Sequence, residues 1–174
     1  RPPDAPLILV GHSGAGPLLP VIRQVLRQRV AAYLFADAGL PQPGRSRLDL
    51  LEWESPEHAA QFRAWLAQGR RFPAWSEADL RPLVLDEARR RALLADLHPW
   101  GPAFFEEPFP VDDAWPEAPC AYLQFSAVYE PHARRARELG WPVRHLAAGH
   151  FHLLVDPDGV AQALLDLSAE LRAL

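Results

Sequence analysis

Lysine and methionine are absent from the sequence, and cysteine occurs once, as Cys120; the 18 basic residues are all arginine. A single cysteine excludes a disulfide bond within the chain and cannot hold a metal ion by itself. No apolar stretch approaches the roughly 20 residues of a membrane-spanning helix, and no signal peptide is recognisable. A net charge of -4 gives no electrostatic reason to bind nucleic acid or a membrane surface. We therefore expect a cytoplasmic protein with neither kind of partner.

The two ends of the chain alternate between strand-like and helix-like patterns. Short apolar runs typical of buried strands occur at residues 7–10, 30–36, 121–125 and 143–146. Helical spacing follows the first run and spans residues 131–139. Asp156 can cap a last helix, with Pro157 in its first turn. This alternation predicts an α/β fold with a mostly parallel sheet and helices on both faces.

The middle of the chain has little strand pattern and several helix starts, since Ser55, Ser76 and Asp86 are each suited to cap a helix. Five of the six tryptophans also lie in this region: Trp53, Trp65, Trp75, Trp100 and Trp115. We expect most of them to be packing residues. The middle segment is interpreted as a helical insertion between two strands of one sheet.

We therefore predict one domain in three sequence segments. Residues 1–40 and 118–174 form the core, and residues 41–117 form a helical lid. Such an insertion covers the carboxyl edge of the sheet, where ligands bind in open α/β folds. The lid is therefore predicted to bound an apolar pocket for a small-molecule substrate.

Residues 7–16, LILVGHSGAG, run from an apolar strand directly into a glycine-rich turn. We interpret Gly11-His12-Ser13-Gly14-Ala15 as a G-x-S-x-G nucleophile elbow, a strained turn that lifts a serine hydroxyl above the sheet. Ser13 is then the candidate nucleophile, and the backbone N–H of Gly14 points where an oxyanion forms. No second oxyanion donor can be identified. The alternatives are a plain tight turn or a phosphate-binding loop, although the Gly-Lys-Ser/Thr ending of such a loop is missing.

A serine nucleophile needs a histidine base, which comes last along the chain in folds with this elbow. His150, in Gly149-His150-Phe151 directly after the final strand, is the candidate base, and His152 is its nearest rival. Packing or surface roles are expected for the remaining histidines: His12, His58, His98, His132 and His145.

Two carboxylates are candidates for the acid that orients His150. Glu130 follows the strand at 121–125 by a short loop, which is the usual position for this group, and it is favoured. Asp37 ends the strand at 30–36 and is the alternative acid. Its other interpretation is an aspartate that orders a loop, just as Glu130 could instead open the following helix.

Three motifs together resemble the α/β-hydrolase superfamily: GHSGAG at residues 11–16, DAGLP at 37–41 and GHFHLLVDP at 149–157. The resemblance extends to small bacterial hydrolases with a helical lid and covers essentially the whole chain. It implies a serine hydrolase that forms an acyl-enzyme without a metal or organic cofactor. We expect the substrate to be a carboxylic ester of a small hydrophobic molecule. The alternatives are a non-catalytic small-molecule binder, or a lyase or haloperoxidase-like enzyme, because fold is poor evidence for reaction.

The resemblance also raises an expectation about the sheet, because the superfamily normally has several strands before the elbow strand. Here only six residues precede Leu7. We expect earlier strands to be missing from this sequence or naturally absent, leaving the apolar strand at 7–10 unpaired on one side. Such an edge is an aggregation hazard, so the chain alone is expected to be poorly soluble and nearly inactive.

Overall fold

The computed structural model describes residues 5–112 and 114–173. These residues form the strands β1 (Leu7–Ser13), β2 (Val30–Ala38), β3 (Cys120–Gln124) and β4 (Val143–His145). They also form the helices α1 (Leu19–Val25), α2 (Arg47–Glu54), α3 (Pro56–Ala67), α4 (Glu77–Leu80), α5 (Glu87–Ala95), α6 (Pro102–Glu106), α7 (Glu130–Glu138), α8 (His152–Val155) and α9 (Pro157–Ala173). Short 3-10 helices, Gly16–Leu18 and Ala127–Tyr129, directly precede α1 and α7. In this part of the chain, no helix has both the length and the apolar character needed to cross a membrane.

The sheet is parallel throughout the described residues, with strand order β1-β2-β3-β4. This confirms the predicted α/β fold with a parallel sheet. Ser13, the last residue of β1, pairs with Ala38, the last residue of β2. Because parallel strands end at the same edge, Ser13, Asp37 and the segment after Gln124 all lie at the carboxyl edge of the sheet.

β1 lies at one side of this sheet and, among the described residues, pairs with β2 alone. Its outer edge therefore carries no strand from residues 5–112 or 114–173, as the small number of residues before Leu7 led us to expect. Val10, near the middle of β1, is 48% exposed.

The chain divides into two compact units. The sheet unit consists of Arg1–Gly44, Phe109–Ala148 and Asp158–Leu174, and the helical unit consists of Arg45–Pro108 and Gly149–Pro157. The helical unit therefore contains most of the predicted insertion of residues 41–117. It also contains the segment with His150, which the sequence pattern assigned to the core segment 118–174.

The sheet unit has its hydrophobic core around β2 and β3. Tyr33, Phe35 and Tyr122 are fully buried there, as expected for strands covered on both faces. Ala133 and Ala136 of α7 belong to the same cluster. Their small side chains, three residues apart on one helix face, let α7 lie close to the sheet.

The helical unit confirms the three predicted caps: the side chains of Ser55, Ser76 and Asp86 each accept a hydrogen bond from the backbone N–H three residues on. Its apolar residues form two clusters, one around Leu48, Leu66 and Phe105 and one around Leu80, Val84 and Phe151. Trp65 and Trp75 pack in these clusters, and Trp115 packs in the core of the sheet unit, whereas Trp53 and Trp100 are about half exposed.

Candidate active site

The turn after β1 has the backbone conformation of a nucleophile elbow. Ser13 has φ 56°, in the left-handed region that residues with a side chain seldom occupy. Holding a serine there costs about 1–3 kcal/mol, a strain found mainly at functional sites. Two backbone hydrogen bonds hold the turn in this conformation. The Ser13 carbonyl accepts one from Gly39 N–H at 3.2 Å, and the His12 carbonyl accepts one from Ala15 N–H at 3.0 Å.

The glycines of this turn are not equally necessary. A Cβ at Gly16 would lie 2.2 Å from the Gly39 carbonyl oxygen, and one at Gly11 would lie 2.9 Å from the Gly16 Cα. A Cβ at Gly14 would meet nothing within 4 Å. The strict G-x-S-x-G interpretation needs correction, because the last position of the motif is Ala15, which adopts an ordinary helical φ of -81°. Close packing therefore requires glycine at positions 11 and 16.

The Gly14 amide is a suitable donor to an oxyanion. Within residues 5–112 and 114–173, its N–H donates to no protein group. It follows Ser13 directly and precedes the 3-10 helix Gly16–Leu18 and α1. An exposed amide beside the nucleophile can stabilise negative charge that develops during attack on a carbonyl.

Tyr129 is a site residue that the sequence analysis missed. Its hydroxyl oxygen lies 3.1 Å from Ser13 Oγ, and either group can be the donor. Tyr129 ends the 3-10 helix between β3 and α7, at the carboxyl edge of the sheet. Its position in the loop after a strand could have marked Tyr129 as a candidate site residue. A tyrosine at that position does not by itself indicate a particular function.

Asp37 is fully buried at the end of β2 and also has a positive φ, 43°. Its Oδ1 accepts hydrogen bonds from the backbone N–H groups of Phe125 and Ser126 at 2.8 and 2.9 Å. Its Oδ2 accepts one from the Ser126 hydroxyl at 2.7 Å. These contacts hold the carboxylate in place and tie the end of β2 to the loop after β3. Asp37 therefore orders this loop, one of the two roles considered for it.

Glu130 has different surroundings. Its half-exposed carboxylate accepts hydrogen bonds from Gln124 Nε2 at 2.8 Å and from the Arg137 guanidinium at 3.0 Å. The Gln124 hydrogen bond and then the Arg137 guanidinium hold the pKa of this carboxyl below its usual value. Since Arg137 lies seven residues further along α7, the Glu130 side chain is directed along the helix and takes part in a surface ion pair.

His150 and His152 lie in the helical unit, whereas Ser13, Asp37 and Glu130 lie in the sheet unit. The His150 ring is half-buried and packs edge-on against Phe151, with 5.3 Å between ring centroids. The Phe151 ring in turn packs edge-on against the Trp75 ring, with 4.9 Å between centroids. This aromatic contact anchors the turn that carries His150 to the helical unit.

Three other histidines have packing or surface positions. His132 is fully buried, and its Nδ1 accepts a hydrogen bond from Leu40 N–H at 3.1 Å. The His12 ring packs near Phe125, with 6.4 Å between centroids. His98 is exposed and lies 2.7 Å from the Asp96 carbonyl. These surroundings fit the structural roles expected for them.

A parallel α/β sheet with a serine in a positive-φ turn between a strand and a helix is typical of the α/β-hydrolase fold. The sequence agrees with this class, because residues 1–163 match the model of the Alpha/beta hydrolase family. The chain therefore belongs to the α/β-hydrolase family, as the three sequence motifs had indicated.

Solved structures support the same fold. An extracellular α/β-hydrolase from a Paenibacillus species, described as a structural and functional homologue of tobacco salicylic acid binding protein 2, superimposes with a TM-score of 0.71 at 19% identity, covering 92% of this chain and 71% of that one. Polyneuridine aldehyde esterase gives 0.65 at 19% identity, with 97% and 74% covered. A pyrethroid hydrolase from Sphingobium faniae gives 0.64 at 18%, with 95% and 72% covered. No curated protein matches the chain.

Proposed function

We propose that the protein is a serine hydrolase that cleaves carboxylic esters of small hydrophobic molecules through an acyl-enzyme. The observation that carries this proposal is the elbow itself. Ser13 is held at φ 56° at the carboxyl edge of the sheet, next to the amide of Gly14. Attack on a carbonyl carbon needs a nucleophile and a donor that stabilises the oxyanion, and this turn holds a candidate for each.

In the proposed mechanism, Ser13 Oγ attacks the ester carbonyl while its proton passes to His150. The carbonyl π electrons move onto oxygen, and the Gly14 amide stabilises the resulting oxyanion. Collapse of this intermediate expels the alkoxide, which takes the proton from His150, and leaves Ser13 acylated. Water then releases the acid by the same steps. The base role of His150 rests on its position in the sequence, after the last strand of the sheet.

We propose Asp37 as the acid that orients the base, in the role that the sequence pattern gave to Glu130. Asp37 is buried at the same sheet edge as Ser13, and two backbone amides and a hydroxyl fix its orientation. Glu130, in contrast, is half exposed and pairs with Arg137. A buried, oriented carboxylate is better suited to stabilise a histidinium ion.

The proposed preference for hydrophobic substrates rests on the helical unit and on the fold neighbours. The unit is rich in aromatic side chains: Phe62 and Phe72 pack against the cluster around Leu48, Leu66 and Phe105, and Trp75 packs against the one around Leu80, Val84 and Phe151. Fold neighbours include proteins named as an esterase and as a pyrethroid hydrolase. Both facts favour an ester with an apolar acyl or alcohol group.

The test is hydrolysis of p-nitrophenyl esters by the wild-type protein and by Ser13→Ala and His150→Ala. We expect both substitutions to lower kcat by at least about 10³-fold while the thermal unfolding midpoint changes little. Hydrolysis that persists in Ser13→Ala contradicts the proposal. Tight binding of a small molecule that is unaffected by Ser13→Ala, with no ester turned over, would instead indicate a non-catalytic binder.

A further inference from the structure

The contact between Tyr129 and Ser13 assigns a function to the tyrosine. We infer that the Tyr129 hydroxyl donates a hydrogen bond to the oxyanion in addition to the Gly14 amide; this inference rests on the proposed function. Tyr129 Oη lies 3.1 Å from Ser13 Oγ, so it touches the atom that attacks the substrate. No sequence motif indicates this role.

The geometry of carbonyl addition explains why a donor at Ser13 Oγ reaches the oxyanion. In the tetrahedral intermediate, Oγ and the oxyanion are bonded to the same carbon and lie closer together than two hydrogen-bonded atoms. An oxyanion donor must lie about 2.7–3.1 Å from the position that the negative oxygen will occupy. A small rotation of the Tyr129 side chain transfers its hydrogen bond from Oγ to that oxygen. The phenol then stabilises charge that exists only in the transition state and the intermediate.

Tyr129 is held in place by the loop that Asp37 orders. Asp37 accepts hydrogen bonds from both the N–H and the hydroxyl of Ser126. Ser126 is the N-cap of the 3-10 helix that ends at Tyr129, and α7 begins at the next residue. The Tyr129 ring also lies against the buried His132 ring, 5.9 Å between centroids. A donor positioned in this way needs little reorganisation when charge develops.

The hydroxyl acts as a hydrogen-bond donor and is not consumed. When Ser13 Oγ bonds to the carbonyl carbon, the serine proton goes to His150 and the π electron pair becomes the oxyanion. Tyr129 keeps its own proton throughout. When the carbon–oxygen double bond re-forms, the electron pair returns and the alkoxide leaves with the proton from His150.

Kinetics of Tyr129→Phe against the matched variant Tyr33→Phe provide the first test. Both substitutions remove one phenolic hydroxyl. The Tyr33 hydroxyl, however, donates a hydrogen bond to the Glu117 carboxylate at 2.9 Å and makes no contact with the elbow. We expect kcat on p-nitrophenyl butyrate to fall about 10²-fold or more in Tyr129→Phe, with KM within about twofold. Tyr33→Phe should keep the wild-type kcat. Equal kcat values for Tyr129→Phe and wild type overturn the assignment.

A readout independent of ester turnover uses Ser13→Cys. The remaining thiol, Cys120, is buried, and burial raises its pKa, so iodoacetamide at neutral pH should alkylate the introduced thiol selectively. If the Tyr129 hydroxyl donates to negative charge at this position, adding Tyr129→Phe should slow alkylation about three- to tenfold, because less thiolate is present. Adding Tyr33→Phe should not. An unchanged or faster rate in the Tyr129→Phe background overturns the assignment.

Comparison of Ser13→Ala with Tyr129→Phe separates failure of this inference from failure of the proposed function. If Ser13→Ala abolishes hydrolysis while Tyr129→Phe retains it, the serine hydrolase proposal stands and the tyrosine assignment is wrong. If Ser13→Ala retains hydrolysis, the proposed nucleophile is wrong, and the oxyanion role of Tyr129 is overturned with it.

Discussion

Replacing Asp37 by asparagine separates the proposed acid from a residue that only orders a loop. The substitution is nearly isosteric, and the three observed contacts can survive it. The asparagine carbonyl can still accept from the Phe125 and Ser126 amides, and its NH₂ can donate to the Ser126 hydroxyl, which rotates to accept. These three hydrogen bonds then weaken from charge-assisted to neutral ones, which costs about 1 kcal/mol each, or about 3 kcal/mol of unfolding free energy.

The effect on catalysis should be seen in protein that is still folded, so the loss of stability does not account for it. An amide cannot stabilise a histidinium ion or hold the base in its productive tautomer, and the corresponding change in a known triad lowers kcat about 10⁴-fold. We expect Asp37→Asn to lower kcat at least about 10³-fold on p-nitrophenyl esters while the protein remains folded by circular dichroism and urea titration.

Two control variants complete this experiment. Ser126→Ala removes one loop contact but keeps the carboxylate, so we expect its kcat to stay within about tenfold of wild type. Glu130→Gln removes a half-exposed ion pair with Arg137, and we expect almost no change in kcat. A large loss in Glu130→Gln with a small loss in Asp37→Asn refutes the choice of acid. Equal losses in Asp37→Asn and Ser126→Ala would show that Asp37 acts only through the loop.

Further predictions concern the turn, the base and the substrate. Gly16→Ala should lower the unfolding free energy by more than the roughly 1–3 kcal/mol typical of overpacking, because its Cβ would lie 2.2 Å from the Gly39 oxygen. Gly14→Ala should change the unfolding free energy by less than about 0.5 kcal/mol, because its Cβ would meet nothing within 4 Å. Urea titration measures both. His150→Ala should abolish hydrolysis while His152→Ala stays within about tenfold of wild type; the reverse result moves the base by two residues. Across p-nitrophenyl esters, kcat/KM should rise from acetate to longer acyl chains, and equal values would contradict an apolar acyl site.

Much of the fold could be predicted from the sequence because its signals are local. Strands of a parallel sheet are buried on both faces, so β2 and β3 appear as continuous apolar runs. The helix caps at Ser55, Ser76 and Asp86 are also local, since each side chain contacts a backbone group three residues away. The elbow conformation at Ser13 was predictable for the same reason.

The rest of the site depends on tertiary contacts that local patterns do not contain. Tyr129 and Ser13 are 116 residues apart, and their contact requires β3 to lie two strands from β1 in the sheet. The ranking of Asp37 and Glu130 depends on burial, which is complete for the first and partial for the second. The need for glycine at position 16 arises from the carbonyl of Gly39, on the neighbouring strand end.

Covalent labelling of Ser13 tests the central claim most directly. The folded protein is treated with a fluorophosphonate probe, digested, and the labelled peptide is identified by mass spectrometry, with Ser13→Ala as the control. We predict one adduct, on Ser13, that forms much more slowly in His150→Ala and does not form in Ser13→Ala. An adduct on another residue, or none on folded wild-type protein, would contradict the assignment of Ser13 as the nucleophile.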